Sequence, residues 1–183
     1  MKQIENYENV QASTGEFEKL MVGGYICKIT DVEDIPLDPK TNKGDYLRIE
    51  YDIAAGDFKG YYKEAFDKFG GSWWASFIRS YKETALGMFK HFTNCVEESN
   101  AGYQWDFNEK GLIGKLIGLV IGEEEYEKKD DTIATRFYVK DIKTVEQIKN
   151  GDFKVPELKK IERKTIVDNI ELTPIVDDSD LPF

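Results

Sequence analysis

The chain has 183 residues, and 40% of them are hydrophobic. This length suits one domain, or one domain with a tail, and the longest apolar stretch, residues 116–121, is far too short to cross a bilayer. The formal net charge of −10 argues at first against a nucleic-acid partner.

The negative charge is concentrated in two segments. Residues 168–183 contain five acidic residues and no Lys or Arg, and residues 123–131 contain six acidic residues with two lysines. The rest of the chain is almost neutral, and a neutral body can still present a basic stripe, because local potential decides binding. A nucleic-acid partner therefore stays open.

The first strands can be predicted from alternation. Residues 1–21 are polar and indicate an irregular N-terminal arm. An alternating, β-branched run predicts a strand over residues 25–32, and Pro and Gly residues predict a loop over 33–45. Residues 45–54 alternate between apolar and polar side chains, which predicts a half-buried strand.

Glycines punctuate the middle of the chain. We expect a turn at 56–60, continuation of the sheet through 61–66, and a further strand over 73–81. Apolar residues at helical spacing then predict a helix over 82–99.

The last elements form a second β pair. Residues 100–113 are expected to be a loop, and the apolar run 115–122 a strand. The acidic residues 123–131 indicate a hairpin loop, residues 132–142 alternate like another strand, and a short helix is expected near 144–150.

A helix between the third and fourth strands is the order of the OB-fold, a five-stranded Greek-key barrel. We therefore predict a mainly β chain with an OB-fold over 22–155, an arm over 1–21, an extension over 156–175 and an acidic tip over 176–183. Another small β-barrel and an α+β sandwich are the alternatives.

Aromatic residues interleaved with basic ones suit single-stranded nucleic acid, because bases stack on rings while Lys and Arg neutralise phosphates. About half of these rings are expected in the core, and of the adjacent Trp73 and Trp74 only one can face inward. The residues that we expect to bind nucleic acid are Lys28, Tyr46, Arg48, Lys59, Tyr61, Lys63, Trp73, Trp74, Phe77, Arg79, Tyr81, Lys82, Arg136, Tyr138 and Lys140.

No metal, cofactor or catalytic motif is evident. His91 and Cys95 are four residues apart on the predicted helix and could form half of a zinc site, but His91 is the only histidine. Carboxylates such as Asp52 and Glu64 have no nuclease-like spacing, and neither a nucleophile elbow nor a P-loop occurs. We therefore expect a protein that is not an enzyme.

The tip, VDDSDLPF at 176–183, resembles the C-terminal tip of bacterial single-stranded DNA-binding proteins. Its acidic residues are expected to approach a basic partner surface, and Phe183 to fill an apolar pocket. The residues expected to bind a partner protein are Asp177, Asp178, Asp180, Leu181, Pro182 and Phe183. A solvated tail that only aids solubility is the simpler alternative.

The body resembles a family of phage-encoded single-stranded DNA-binding proteins from phages and prophages of Gram-positive hosts. The segments that carry this resemblance are GYICKI (24–29), LRIEYDI (47–53), RSYK (79–82), ALGMFK (85–90) and GDFKVP (151–156). The resemblance implies coating of single strands during DNA replication or recombination, with the tip recruiting partner proteins. An adaptor of a replication complex without direct DNA binding is the alternative.

Localisation and assembly are expectations of the same kind. The two cysteines, Cys27 and Cys95, form no CxxC pair, and residues 1–6 lack an apolar signal-peptide core. We expect a cytoplasmic protein outside the membrane, in the host cell if it is phage-encoded. OB-folds often pair through a strand or the helix, so the sequence leaves a homo-oligomer open.

Overall fold

The computed structural model describes residues 17–161, and this part of the chain is mainly β. Five antiparallel strands form one sheet in the order β3-β2-β1-β4-β5, and three helices accompany it. No helix within residues 17–161 has the length and apolar character needed to span a membrane.

The first two strands confirm the predicted alternation. β1 (Gly23–Ile35) and β2 (Tyr46–Ile53) pair antiparallel, with Val32 opposite Ile49 and Glu33 opposite Arg48. Val32 and Ile49 are fully buried, whereas Arg48 is exposed. Buried and exposed side chains therefore alternate along these strands, as expected when successive residues point to opposite faces of a sheet.

The segment after β2 is a helix, so the predicted continuation of the sheet at 61–66 is wrong. α1 (Tyr61–Phe69) buries Tyr62 and Ala65, three residues apart on one helical face. The N-cap is Gly60, which has a φ of 77° and no side chain to cap the first turn. The Asp52 carboxylate accepts the hydrogen bond instead, from the backbone N–H of Tyr62 at 3.0 Å.

The third strand is shorter than predicted. β3 (Ser76–Ser80) pairs with β2, and Trp73 and Trp74 precede it rather than lying within it. The helix expected next is confirmed: a 3₁₀ turn at Glu83–Ala85 leads into α2 (Leu86–Ser99). α2 places Phe92 and Val96, one turn apart, in the core.

The acidic segment is mostly strand, so the predicted hairpin loop over 123–131 is wrong. β4 (Leu116–Glu127) and β5 (Ile133–Lys143) form a long antiparallel ribbon, and only residues 128–132 turn. Basic side chains pair with the carboxylates: Glu124 faces Arg136 across the ribbon at 2.8 Å, and Glu123 pairs with Lys19 at 2.6 Å. A run of carboxylates can enter a strand when such partners lie opposite.

The short helix near residue 144 is also confirmed. α3 (Val145–Lys149) begins with a capping box, in which Thr144 and Gln147 bond each other's backbone. The chain then returns to β4, where the N–H of Lys159 donates to the Glu123 carbonyl at 3.0 Å. The first part of the predicted extension therefore joins the sheet as an added parallel segment.

The core lies between one face of the sheet and α2, and residues 17–21 of the N-terminal arm contribute to it. Leu20 is only 2% exposed, and its N–H donates to the Tyr61 hydroxyl at 3.2 Å. The fully or almost fully buried core side chains include Cys27, Ile29, Val32, Ile49, Phe92, Val96, Leu112, Ile117, Leu119, Ile121 and Ile142.

β3 and β5 are the two edges of the sheet, and both contact α2. Burial lowers the pKa of the Arg79 guanidinium on β3, and the Asp141 carboxylate on β5 opposes that shift. The charge of Asp141 on β5 therefore acts on Arg79 on β3. Within residues 17–161, these two edge strands are not paired by a hydrogen-bonded ladder.

Candidate nucleic-acid interface

An exposed group of rings lies on α1 and the loop that follows it. We call Phe66, Phe69, Trp73 and Trp74 the α1 aromatic patch. Phe69 is 58% exposed and Trp74 51%, whereas Trp73 is half-buried against the core. The Phe66 and Trp73 rings lie 5.9 Å apart at 51°, so these two rings of the patch pack against each other.

Lysines border this patch. Lys68 lies 5.6 Å from the Phe69 ring centroid, a distance suited to a cation–π contact. Lys63 pairs with Asp67 one turn away at 2.7 Å, and Lys59 is exposed just before the helix. The hydrogen bond and the charge of Asp67 raise the pKa of Lys63.

Two of the predicted rings belong to the interior instead. Phe77 is buried on β3, where it packs against Tyr51 and Phe92. Tyr61 packs against Phe58 and receives the Leu20 N–H. Phe77 and Tyr61 therefore belong to the aromatic residues that pack in or against the core.

Arg79, Lys82 and Tyr81 lie at the end of β3. The Arg79 guanidinium lies 5.1 Å from the Phe77 ring centroid, and Lys82 is half-buried. The Tyr81 hydroxyl donates to Asp34 at 2.8 Å, and burial together with that bond raises the pKa of Tyr81 to about 12. The Arg79 and Tyr81 side chains therefore have partners within the fold.

The outward face of β2 brings Tyr46 and Arg48 to one surface, as predicted, but carboxylates surround them. Arg48 forms an ion pair with Glu33 on β1. Burial and the nearby Asp31 carboxylate raise the pKa of Glu50 on the same face. This face is therefore acidic around its single arginine.

The remaining predicted residues lie on β1 and β5. Lys28 is exposed on β1, opposite Asp52. On β5, Arg136 is held by Glu124 and Lys140 is exposed, while Tyr138 lies 5.8 Å from the ammonium of Lys159. Lys59, Lys63, Trp73 and Trp74 thus lie on α1 or in the segments that flank it, whereas these four lie on β1 and β5.

The prediction missed Phe69, and it also missed the aromatic residues of the 103–109 loop. The signal for Phe69 was present: Tyr62, Ala65, Phe66 and Phe69 follow helical spacing, which places Phe66 and Phe69 on neighbouring turns. Phe107 offered no such signal, because its exposure and backbone conformation depend on the loop.

The suspected half-site for zinc gains no further ligand. The Cys95 Sγ lies 3.7 Å from His91 Nε2, and that nitrogen lies 3.0 Å from the Ile142 carbonyl. Burial raises the pKa of the Cys95 thiol to about 11, which keeps it protonated. Within residues 17–161, no group of three His, Cys, Asp or Glu side chains could hold a metal ion.

A scan against protein-family models and a search of curated proteins both returned no match to this chain. The likeness to phage-encoded single-stranded DNA-binding proteins therefore stays a prediction. The partner-binding residues of the tip, Asp177, Asp178, Asp180, Leu181, Pro182 and Phe183, lie outside the described residues.

Proposed function

We propose that this protein is a non-enzymatic OB-fold protein that binds single-stranded DNA without sequence preference. The topology supports this fold: the β1-β2-β3 meander, the helix between β3 and β4, and the β1–β4 pairing follow the OB order. α1 is then an insertion between β2 and β3.

The observation that carries the proposed function is the α1 aromatic patch. Phe69 and Trp74 each expose more than half of their surface, although large rings usually avoid water. Each ring offers a face for one base, worth about 1–3 kcal/mol by alanine substitution, and every base can use it. Lys59, Lys63 and Lys68 would neutralise phosphates beside the rings.

The acidic tip fits the same proposal as a recruiting element. In this role it binds replication or recombination proteins through its carboxylates and Phe183, while the body holds DNA. Because the tip and DNA share the same sign of charge, the tip also competes with DNA for the lysines of the patch.

Tryptophan fluorescence tests DNA binding directly. Unstructured oligothymidylate should quench the emission, duplex DNA should not, and moderate salt should weaken the effect. Trp74→Ala should weaken binding about 5- to 100-fold, since it removes one stacking ring. Ile133→Ala, an exposed apolar change on β5, is the matched control. Equal binding of single strands and duplex would refute the proposal.

One observation favours the adaptor as a second candidate function. OB-folds bind oligonucleotides on the face of strands 2 and 3, and here that face carries Glu33 and Glu50 around Arg48. Such a face repels phosphates. The adaptor is supported if oligothymidylate causes neither quenching nor a gel shift.

A further inference from the structure

A second apolar surface lies beside α2, away from the α1 aromatic patch. Leu86 and Phe89 of α2, with Trp105 and Phe107 of the following loop, form a wall shared by two cavities. One cavity has a volume of about 330 Å³ and continues to Tyr81. The other, of about 470 Å³, follows α2. We call this surface the α2 groove.

Phe107 is the most unusual residue of the α2 groove. Its side chain is 86% exposed, and its backbone has a φ of 64°, in the left-handed region. That conformation is an outlier for a bulky residue, costs about 1–3 kcal/mol, and is concentrated at functional sites. Burial of the ring within the chain offsets little of this cost, because so much of the ring faces water.

Neighbouring rings hold Phe107 in place. Its ring lies 5.9 Å from Trp105, which in turn lies 6.0 Å from Phe89 on α2. The backbone N–H of Trp105 donates to Glu97 at 2.7 Å, so the loop is fastened to the helix. The groove is therefore preformed, which lowers the entropy lost when a partner binds.

The charges around the α2 groove are predominantly acidic. Asp34 and Glu109 line one cavity, and Asp34 is oriented by the Tyr81 hydroxyl at 2.8 Å. Glu97 lines the other cavity, where Lys90 is the only basic lining residue among those described. Carboxylates in these positions repel phosphates and attract ammonium or guanidinium groups.

We infer that the α2 groove docks a segment of a partner protein that combines large apolar side chains with Lys or Arg. Its apolar side chains occupy the two cavities and contact the exposed Phe107 ring. Its basic residues pair with Asp34 and Glu109 at the rim. The acidic tip is also expected to approach a basic partner surface, so the tip and the groove share one charge preference. They differ in which side supplies the inserted apolar residue: this protein does so at the tip, and the partner does so in the groove.

The test uses a variant in which Trp105 is the only tryptophan. The chain has three tryptophans, so Trp73→Phe with Trp74→Phe leaves Trp105 as the reporter in the groove. The probe is an 18-residue amphipathic peptide of Leu and Lys, which has no fluorescence of its own. The matched peptide replaces Lys by Glu. A saturable change in Trp105 emission is expected with the Leu/Lys peptide alone.

Two further variants locate the contact. Phe107→Asn should weaken peptide binding about tenfold or more, because it removes a large apolar contact. Glu109→Gln should weaken it about two- to threefold. Ile133→Ser and Glu146→Gln alter exposed residues elsewhere and are the matched controls. Equal loss in the controls would identify nonspecific attraction to an acidic protein and overturn the inference.

Other occupants give distinct results. A shift of Trp105 emission by oligothymidylate, removed by Phe107→Asn, would make the groove a base-stacking site. A shift on concentrating the protein alone, with dimers in sedimentation, would make it a contact between copies. Either result, or no response to the Leu/Lys peptide, overturns the inference. Because Trp73 and Trp74 are replaced, failure of DNA binding leaves this result unaffected.

Discussion

The Asp52 carboxylate on β2 accepts the backbone N–H of Tyr62 on α1 at 3.0 Å, and this contact joins the sheet to the helix that carries the exposed rings. The same carboxylate also accepts the N–H of Lys63 at 3.3 Å. A buried aspartate, nine residues before the helix begins, thus caps the first turn that Gly60 leaves open.

Asp52→Ala should destabilise the protein by about 1–3 kcal/mol, because it leaves buried N–H groups without a partner. Urea unfolding should show a lower midpoint. If the α1 aromatic patch binds DNA, the affinity should also fall, since α1 loses its cap. Asp57→Ala, at an exposed position in the preceding turn, should leave the midpoint unchanged. Equal midpoints for both variants would contradict the capping role.

Substitution by alanine at Gly118 and at Gly87 should change the stability of the protein in opposite directions. A Cβ on Gly118 would lie 2.5 Å from Ile148 and 2.6 Å from the Thr144 carbonyl, so Gly118→Ala should cost about 1–3 kcal/mol. A Cβ on Gly87 meets nothing within 4 Å in the described part of the chain, and Gly87→Ala in α2 should stabilise by up to about 1 kcal/mol. Thermal unfolding of the two variants should separate them, and equal melting temperatures would contradict the close contact of Gly118 with Ile148 and Thr144.

The Lys19–Glu123 pair should give a pH-dependent contribution to stability. The hydrogen bonds from Lys19 and Thr135 lower the pKa of Glu123 in the folded protein. The contribution is therefore present above the unfolded pKa of about 4.3 and is lost as the pH falls through the lower folded value. Lys19→Met should be less stable than the wild type at pH 7, by at most about 1 kcal/mol, and the gap should close below pH 4. A gap independent of pH would assign the loss to packing against Phe137 instead.

Phe107→Asn should leave the free energy of unfolding unchanged or raise it by about 1 kcal/mol. Asn tolerates the left-handed backbone better than Phe, and the exposed ring contributes little burial. Chemical denaturation measures this directly. Phe92→Asn, at a fully buried position of α2, is the contrasting control and should unfold the domain. A marked loss of stability for Phe107→Asn would show that its ring supports the loop.

Deletion of residues 176–183 should tighten binding of single-stranded DNA and reduce its dependence on salt. The deletion removes three aspartates that share the sign of DNA and compete with it for lysines. Titrations with oligothymidylate at two salt concentrations measure the effect. Replacing the three aspartates by asparagine, with the length kept, separates charge from length. Unchanged affinity for oligothymidylate in both variants would contradict the hypothesis that the tip competes with DNA.

The periodicity of apolar residues correctly predicts strands and helices that bury one face and expose the other. The strands around residues 32 and 49 and the helix around residue 92 follow from alternation and helical spacing. α1 was mistaken for strand because its aromatic residues also suit a sheet, and the capping carboxylate of Asp52 is contributed by another element. The acidic ribbon was mistaken for a loop because its cations, Lys19 and Arg136, are distant in sequence.

The site was harder to predict than the fold, because exposure depends on tertiary contacts. The sequence predicts that one of the adjacent Trp73 and Trp74 is exposed, and Trp74 is the exposed residue. The ion pair between Arg48 and Glu33 could not be predicted from the sequence, because it depends on the register of β1 and β2. Residues that look basic in sequence become neutral pairs when a carboxylate lies opposite.

The added parallel segment holds the last described residue, Ile161, against β4. Ile161 donates its N–H to the Glu125 side chain at 3.1 Å. Covalent geometry keeps residue 183 within about 70–80 Å of Ile161, at roughly 3.3–3.6 Å per residue. If the tip recruits a partner as proposed, the contact point of that partner lies inside this radius around the β4–β5 ribbon.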